Sequence, residues 1–123
     1  QMCIRDSSNT EKNYSKEEQR FLLKCREIID NHLTDADFDV LTFAEKLGMS
    51  HSTLYRKVKS VTGMSVIEFI NEYRIFKAVQ YFNEGETNIS TVGVKCGFND
   101  LKNFRAAFKR KVGVSPKQYV MRL

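Results

Sequence analysis

The sequence predicts an all-α fold in which two helix-turn-helix units flank one long helix. Three observations carry this prediction. Apolar residues recur at three- and four-residue spacing through most of the chain, the period of a helix with one buried face. Serine, aspartate and glycine stand at the ends of those stretches, where helices start and stop. The pattern of Gly48–Gly63 also returns at Gly97–Gly113, an internal repeat of one supersecondary unit.

Residues 1–14 are polar and aperiodic and read as a disordered tail. Within it Gln1–Ser7 looks like translated adapter or leader sequence rather than native chain and is set aside. Ser15 and Glu18 have capping-box spacing, so a helix is expected to begin there. Phe21, Leu22, Cys25, Ile28, Ile29 and Leu33 would form its apolar face, with Cys25 as a small core residue and His32 offsetting the dipole at the helix end. Residues 35–39, acidic around Phe38, read as the turning loop. Asp39 is placed to cap a short helix over 40–47, with Val40, Phe43, Ala44 and Leu47 on one face. Ala44 is small enough to let the next helix approach closely. Gly48 then ends the helix, because it alone adopts the left-handed conformation without a Cβ clash.

Ser50 caps the second helix of this unit. Leu54, Val58 and Val61 lie at i, i+4 and i+7 and should face the core, which leaves Ser52, Thr53, Tyr55, Arg56, Lys57 and Lys59 outside. From Ser65 to about Asn83 a long helix is expected, supported by Val66, Phe69, Ile70, Tyr73, Phe76, Val79 and Phe82. Its length of about 27 Å is comparable to one turn of duplex DNA, about 34 Å. Gly85 stops it. Ile89, Val92 and Cys96 begin the second unit, with Gly93 in the small-residue slot, Gly97 at the turn and Asp100 as the next cap. Phe104, Ala107, Phe108 and Val112 then face inward, and Lys102, Asn103, Arg105, Lys109 and Arg110 outward. Ser115-Pro116 opens a last short helix, with proline where its missing amide is harmless.

The two units superimpose as sequence. Gly48 matches Gly97 at an offset of 49, while Leu54, Val58, Lys59, Gly63, Ser65 and Phe69 match Phe104, Phe108, Lys109, Gly113, Ser115 and Tyr119 at 50. One extra residue before Asp100 accounts for the change. The expected organisation is a tail over 1–14, a first subdomain over 15–64, a linker helix over 65–84 and a second subdomain over 85–123.

Composition narrows the function. With 41% hydrophobic and 28% charged residues, the chain is neither disordered nor membranous, and no apolar run nears the roughly 20 residues that span a bilayer. Its three cysteines, Cys3, Cys25 and Cys96, form neither a disulfide framework nor a zinc motif, and fit a reducing cytoplasm. Charge is uneven: residues 1–49 carry seven Lys or Arg against ten Asp or Glu, 50–85 five against three, and 86–123 eight against two. A basic C-terminal part suits a polyanionic partner. No glycine-rich phosphate loop and no metal-spaced His or Cys set is present, and His32 and His51 lack a nucleophile at a recognisable spacing. No enzyme, metal or cofactor is expected. A lone Cys3 does not make the cysteine cluster of a DNA-repair alkyl acceptor.

Over residues 16–122 the sequence resembles the DNA-binding domain of AraC/XylS-type bacterial transcription regulators. The resemblance rests on Phe43-Ala44-Glu45-Lys46-Leu47-Gly48-Met49-Ser50, on Leu54-Tyr55-Arg56-Lys57-Val58-Lys59, on Gly97-Phe98 and on Phe108 through Tyr119. The first half is most similar to output domains of hybrid two-component regulators. The resemblance implies seven helices in two helix-turn-helix subdomains joined by a long central helix, and base-reading positions at Ser52, Tyr55 and Arg56, then Lys102, Asn103, Arg105 and Ala106. Alanine at 106 departs from the arginine frequent there, so the second unit would read fewer bases or lean on phosphates. Aromatic residues late in the long helix depart from leucine and imply a bulkier core.

Arginine fits guanine O6 and N7 with two hydrogen bonds, and asparagine can do the same for adenine, which favours Arg56, and Asn103 or Arg105, for specificity. Lys57, Lys59, Lys109 and Arg110 would fix the register on phosphates. The expected partners are double-stranded DNA, RNA polymerase, and sensor and kinase domains of the same polypeptide, with no membrane contact from this segment. The competing reading is a protein-interaction module that uses this fold without DNA.

Overall fold

The computed structural model describes residues 14–123. The tail, apart from Tyr14, and with it Gln1–Ser7 and Cys3, lies outside the described residues. Among them are seven helices and no strand: α1 Lys16–Asn31, α2 Val40–Leu47, α3 His51–Thr62, α4 Val66–Asn83, α5 Ile89–Lys95, α6 Leu101–Val112 and α7 Pro116–Met121.

Local chemistry sets most of these boundaries. Ser15 and Glu18 form the reciprocal capping box at α1, at 3.1 and 3.0 Å. Asp39 accepts from the Thr42 amide at 2.9 Å, which holds its carboxyl below the ordinary value. Ser50, Asn88, Asp100 and Ser115 cap α3, α5, α6 and α7, each satisfying an amide that has no partner inside its helix. Ser65 and Glu68 make a further capping box at α4, at 3.1 and 2.9 Å. Gly48 closes α2 at φ 72°.

The chain divides into two compact units. The first comprises residues 14–32 and 37–71, hence α1, α2, α3 and the start of α4. Its buried residues are Leu22, Cys25 and Ile29 of α1, Phe43 and Ala44 of α2, Leu54 and Val58 of α3, and Val66, Phe69 and Ile70 of α4. Val61, expected inward, is only part-buried. Phe38 belongs to this core as well: it is 5% exposed, stacks on His32 at 5.1 Å and leans on Phe43 at 5.7 Å. The loop expected around it is therefore anchored by a ring.

The second unit comprises residues 33–36 and 72–123. Its core joins Ile75, Ala78, Val79 and Phe82 of α4 to Val92, Cys96, Phe98, Phe104, Ala107, Phe108 and Tyr119. Phe82, Phe104 and Tyr119 each pack against Phe108, with ring centroids 5.7 to 5.9 Å apart. Tyr119 also donates its hydroxyl proton to Asn83 Oδ1 at 2.6 Å.

Two details correct the expectations for α4. Phe76, expected in the core, is 41% exposed, and Arg74 beside it is 7% exposed. The cause is a change of buried side along the helix. Residues 66–71 bury Val66, Phe69 and Ile70, whereas 72–83 bury Arg74, Ile75, Ala78, Val79 and Phe82. Extending the first stripe by one heptad from Phe69 leads to Phe76, and there the stripe has already ended.

Gly97 sits at a crowded turn of the second unit. Its φ is +92°, and a Cβ there would fall on the Leu33 carbonyl oxygen and within 2.8 Å of Arg74 Cζ. Backbone conformation and lack of space both require glycine. Gly93 is needed for space alone, because a Cβ would meet Phe104 Cδ2 at 3.0 Å.

Candidate nucleic-acid interface

Helices α3 and α6 are built alike. Each has 12 residues, an N-cap at the position before its first residue, and a left-handed glycine at its end: Ser50 and Gly63 for α3, Asp100 and Gly113 for α6. One side of each is buried, through Leu54 and Val58 in α3 and through Phe104, Ala107 and Phe108 in α6. In each unit this apolar side fixes how the helix can rotate about its own axis, so the opposite side is held outward.

Ser52, Tyr55, Arg56, Lys57 and Lys59 are all exposed, as are Lys102, Asn103, Arg105, Lys109 and Arg110. At about 100° per residue, Ser52, Tyr55, Arg56 and Lys59 share one arc of about 100° on α3. Lys102, Arg105, Ala106 and Lys109 share the same arc on α6. Lys57, Asn103 and Arg110 stand to one side of these arcs. Tyr55 is 50% exposed, a large ring left outward while nearby Leu54 is fully buried.

Two of the lysines have partners within their own unit. The Lys57 ammonium lies 4.7 Å from the centroid of the Phe21 ring of α1, a cation–π contact that draws it toward α1. Lys59 donates to the Gly63 carbonyl oxygen at 3.3 Å, at the end of its own helix. Arg105 borders an open cleft with Asn88, Ser90, Ser115 and Lys117.

One residue that shapes this region was not anticipated. Arg74 donates to the carbonyl oxygens of Gly97 and Asp35 at 3.0 and 3.3 Å, and its guanidinium carbon lies 6.0 Å from the Phe98 ring centroid. Desolvation holds its pKa below the ordinary arginine value, with Asp35 opposing the shift. Its Nε is buried without a hydrogen-bond partner among the described residues. The available signal was its spacing: Arg74 lies four residues from both Ile70 and Ala78, which are buried.

Among the described residues no group of three His, Cys, Asp or Glu could hold a metal ion, and no helix is long and apolar enough to cross a membrane.

A short capped helix, a tight glycine turn and a second capped helix with an outward polar side define a helix-turn-helix, and this chain has it twice. Residues 43–122 match the family model described as "Helix-turn-helix domain". The chain belongs to the AraC-type helix-turn-helix family of DNA-binding transcription regulators. It is 34% identical over 102 residues to histidine kinase P4 of Formosa agariphila, covering 83% of this chain and 7% of that protein. It thus spans a small part of that relative's length. The C-terminal domain of AraT, a response regulator from Geobacillus stearothermophilus, has a similar structure, with TM-score 0.74 and 29% identity over 83% of this chain and 84% of that one. The DNA-binding domain of AdpA, a global transcriptional factor whose structure is in complex with a target DNA, gives TM-score 0.73 and 28% identity over 82% and 90%.

Proposed function

We propose that this chain binds double-stranded DNA sequence-specifically as part of a bacterial transcription regulator, with α3 and α6 entering successive major grooves. The observation that carries this reading is the repeated helix. Twice the chain builds a capped helix of 12 residues with one side locked into a core and a polar, mostly basic side exposed in the same register. A solvated surface has no need of that register; a pair of grooves about one helical turn apart does. The similar DNA-binding domain of AdpA, whose structure is in complex with a target DNA, supports the choice of ligand.

In this reading the two compact units act as two reading subdomains, with residues 65–84 as the linker helix. Ser52, Tyr55 and Arg56, and Lys102 and Arg105, face base edges, and Asn103, beside the arc in the first turn of α6, reaches one from the side. Lys57, Lys59, Lys109 and Arg110, at the side or in the later turns of their helices, meet phosphates, for which Lys57 must leave the Phe21 ring. The match to a segment of a histidine kinase supports a place as the output domain of a hybrid two-component regulator. There, sensor and kinase domains of the same polypeptide would control the domain, and RNA polymerase would receive its signal.

Fluorescence anisotropy against genomic fragments and random duplex, at several salt concentrations, tests the proposal. Tight binding to a subset of fragments, with affinity falling steeply as salt rises, is expected. No binding even at low salt would leave the fold serving as a protein-interaction module.

A further inference from the structure

The sixth residue of α3 is Arg56 and the sixth residue of α6 is Ala106. The N-cap precedes the first residue in each case and the left-handed glycine follows the twelfth, so the two positions are equivalent within their units. Both are exposed and lie in the shared outward arc. Ala106 is not part of the packing of α6, which rests on Phe104, Ala107 and Phe108.

We infer that Ala106 is a specificity-determining residue that selects thymine through its C5 methyl group, so that the site carries thymine where α6 reads and guanine at the equivalent place under Arg56. This inference rests on the DNA reading above. The side chains around Ala106 at one-turn spacing are Lys102, Asn103, Lys109 and Arg110, all longer than a methyl group. Alanine therefore leaves a short, apolar step among long polar chains, and the helix backbone can come closer to a base edge there than at Arg56. Thymine alone among the bases projects a methyl group into the major groove, and apolar contact with it is the interaction open to an alanine. Guanine opposite Ala106 would exchange water at O6 and N7 for no partner, which disfavours it. Removing one buried methyl contact should change affinity about fourfold.

The test begins with sites selected from a random DNA pool by the whole chain, the α6 half being the part whose enrichment is lost in Arg105→Ala. Each thymine in that half is then replaced by deoxyuracil, which lacks only the methyl group. One replacement should weaken wild-type binding about fourfold and leave Ala106→Gly unaffected, and Ala106→Arg should shift the preference at that base pair toward guanine. Circular dichroism of each variant shows that the helix is intact. Selection of a specific site whose α6 half lacks thymine, or tolerates uracil throughout, overturns the inference while the DNA reading stands. No enrichment at all overturns both.

Discussion

The Arg74 guanidinium donates through Nη1 to the carbonyl oxygen of Gly97 at 3.0 Å, tying the long helix to the turn that precedes α6. A second bond, from Nη2 to Asp35 at 3.3 Å, secures residues 33–36 of the same unit. Removing the side chain leaves two carbonyl oxygens without their charged donor. Arg74→Met should lower stability by about 2–4 kcal/mol in urea denaturation, because charge-assisted bonds at a buried site are among the expensive ones to lose. Arg74→Lys should retain part of it. A loss below about 1 kcal/mol for the methionine variant would mean that these bonds hold little.

Gly93 and Phe104 form a size-matched pair. At the equivalent positions the first unit has Ala44 and Leu54, both buried, so a larger ring in one helix accompanies a missing methyl in the other. Gly93→Ala gains helix propensity of about 1 kcal/mol. It also places a Cβ 3.0 Å from Phe104 Cδ2, and that ring is itself wedged against Phe98 and Phe108 at 5.2 and 5.9 Å. Overpacking of this kind costs about 1–3 kcal/mol, so a net loss of about 1 kcal/mol is expected. Adding Phe104→Leu, which restores the pairing of the first unit, should couple favourably with it in a double-mutant cycle. Strict additivity would refute the pairing.

Cys25 and Cys96 are fully buried, and burial pushes both thiols up to about 12, against the lowering effect of Arg26 and Lys57 on one and Lys77, Arg74 and Lys95 on the other. In the unfolded chain they ionise near 8.5, in the usual range. A folded value above the unfolded one means stability that is complete below about pH 8.5 and is lost as pH rises toward the folded value. Between pH 8.5 and 9.5 the two thiols together should remove about 2 kcal/mol. The Cys25→Ala/Cys96→Ala variant should lack this slope, and the same slope in both proteins would acquit the cysteines.

Arg56 and Lys109 should separate by the kind of loss. Arg56→Ala is expected to weaken the selected site by about 1–3 kcal/mol and relax base choice, with random DNA little affected. Lys109→Ala should weaken both and flatten the salt slope by about one unit. Equal losses on both DNAs for Arg56, or an unchanged slope for Lys109, would remove that residue from its role.

Caps and stops were legible because they are local: Asp39, Gly48, Ser50, Asp100 and Pro116 act within four residues of themselves. The outward sides of α3 and α6 were legible through the helical period and the repeat, and Gly93 through its match with Ala44. Phe38 escaped because one ring among acidic residues shows no period, and its burial depends on His32 and Phe43. Phe76 escaped because α4 changes its buried side midway, which no single stripe describes, and Arg74, although four residues from both Ile70 and Ala78, because a charged side chain reads as surface. Any base that Arg56 and Ala106 meet would belong to a partner molecule, so periodicity can place those side chains outward without naming what they meet.

Two helices reading two stretches of DNA is the central claim, and hydroxyl-radical footprinting on a selected site tests it most directly. Two protected stretches about 10 base pairs apart are expected, with Arg56→Ala erasing one and Arg105→Ala the other. A single protected stretch, lost equally in both variants, would contradict it.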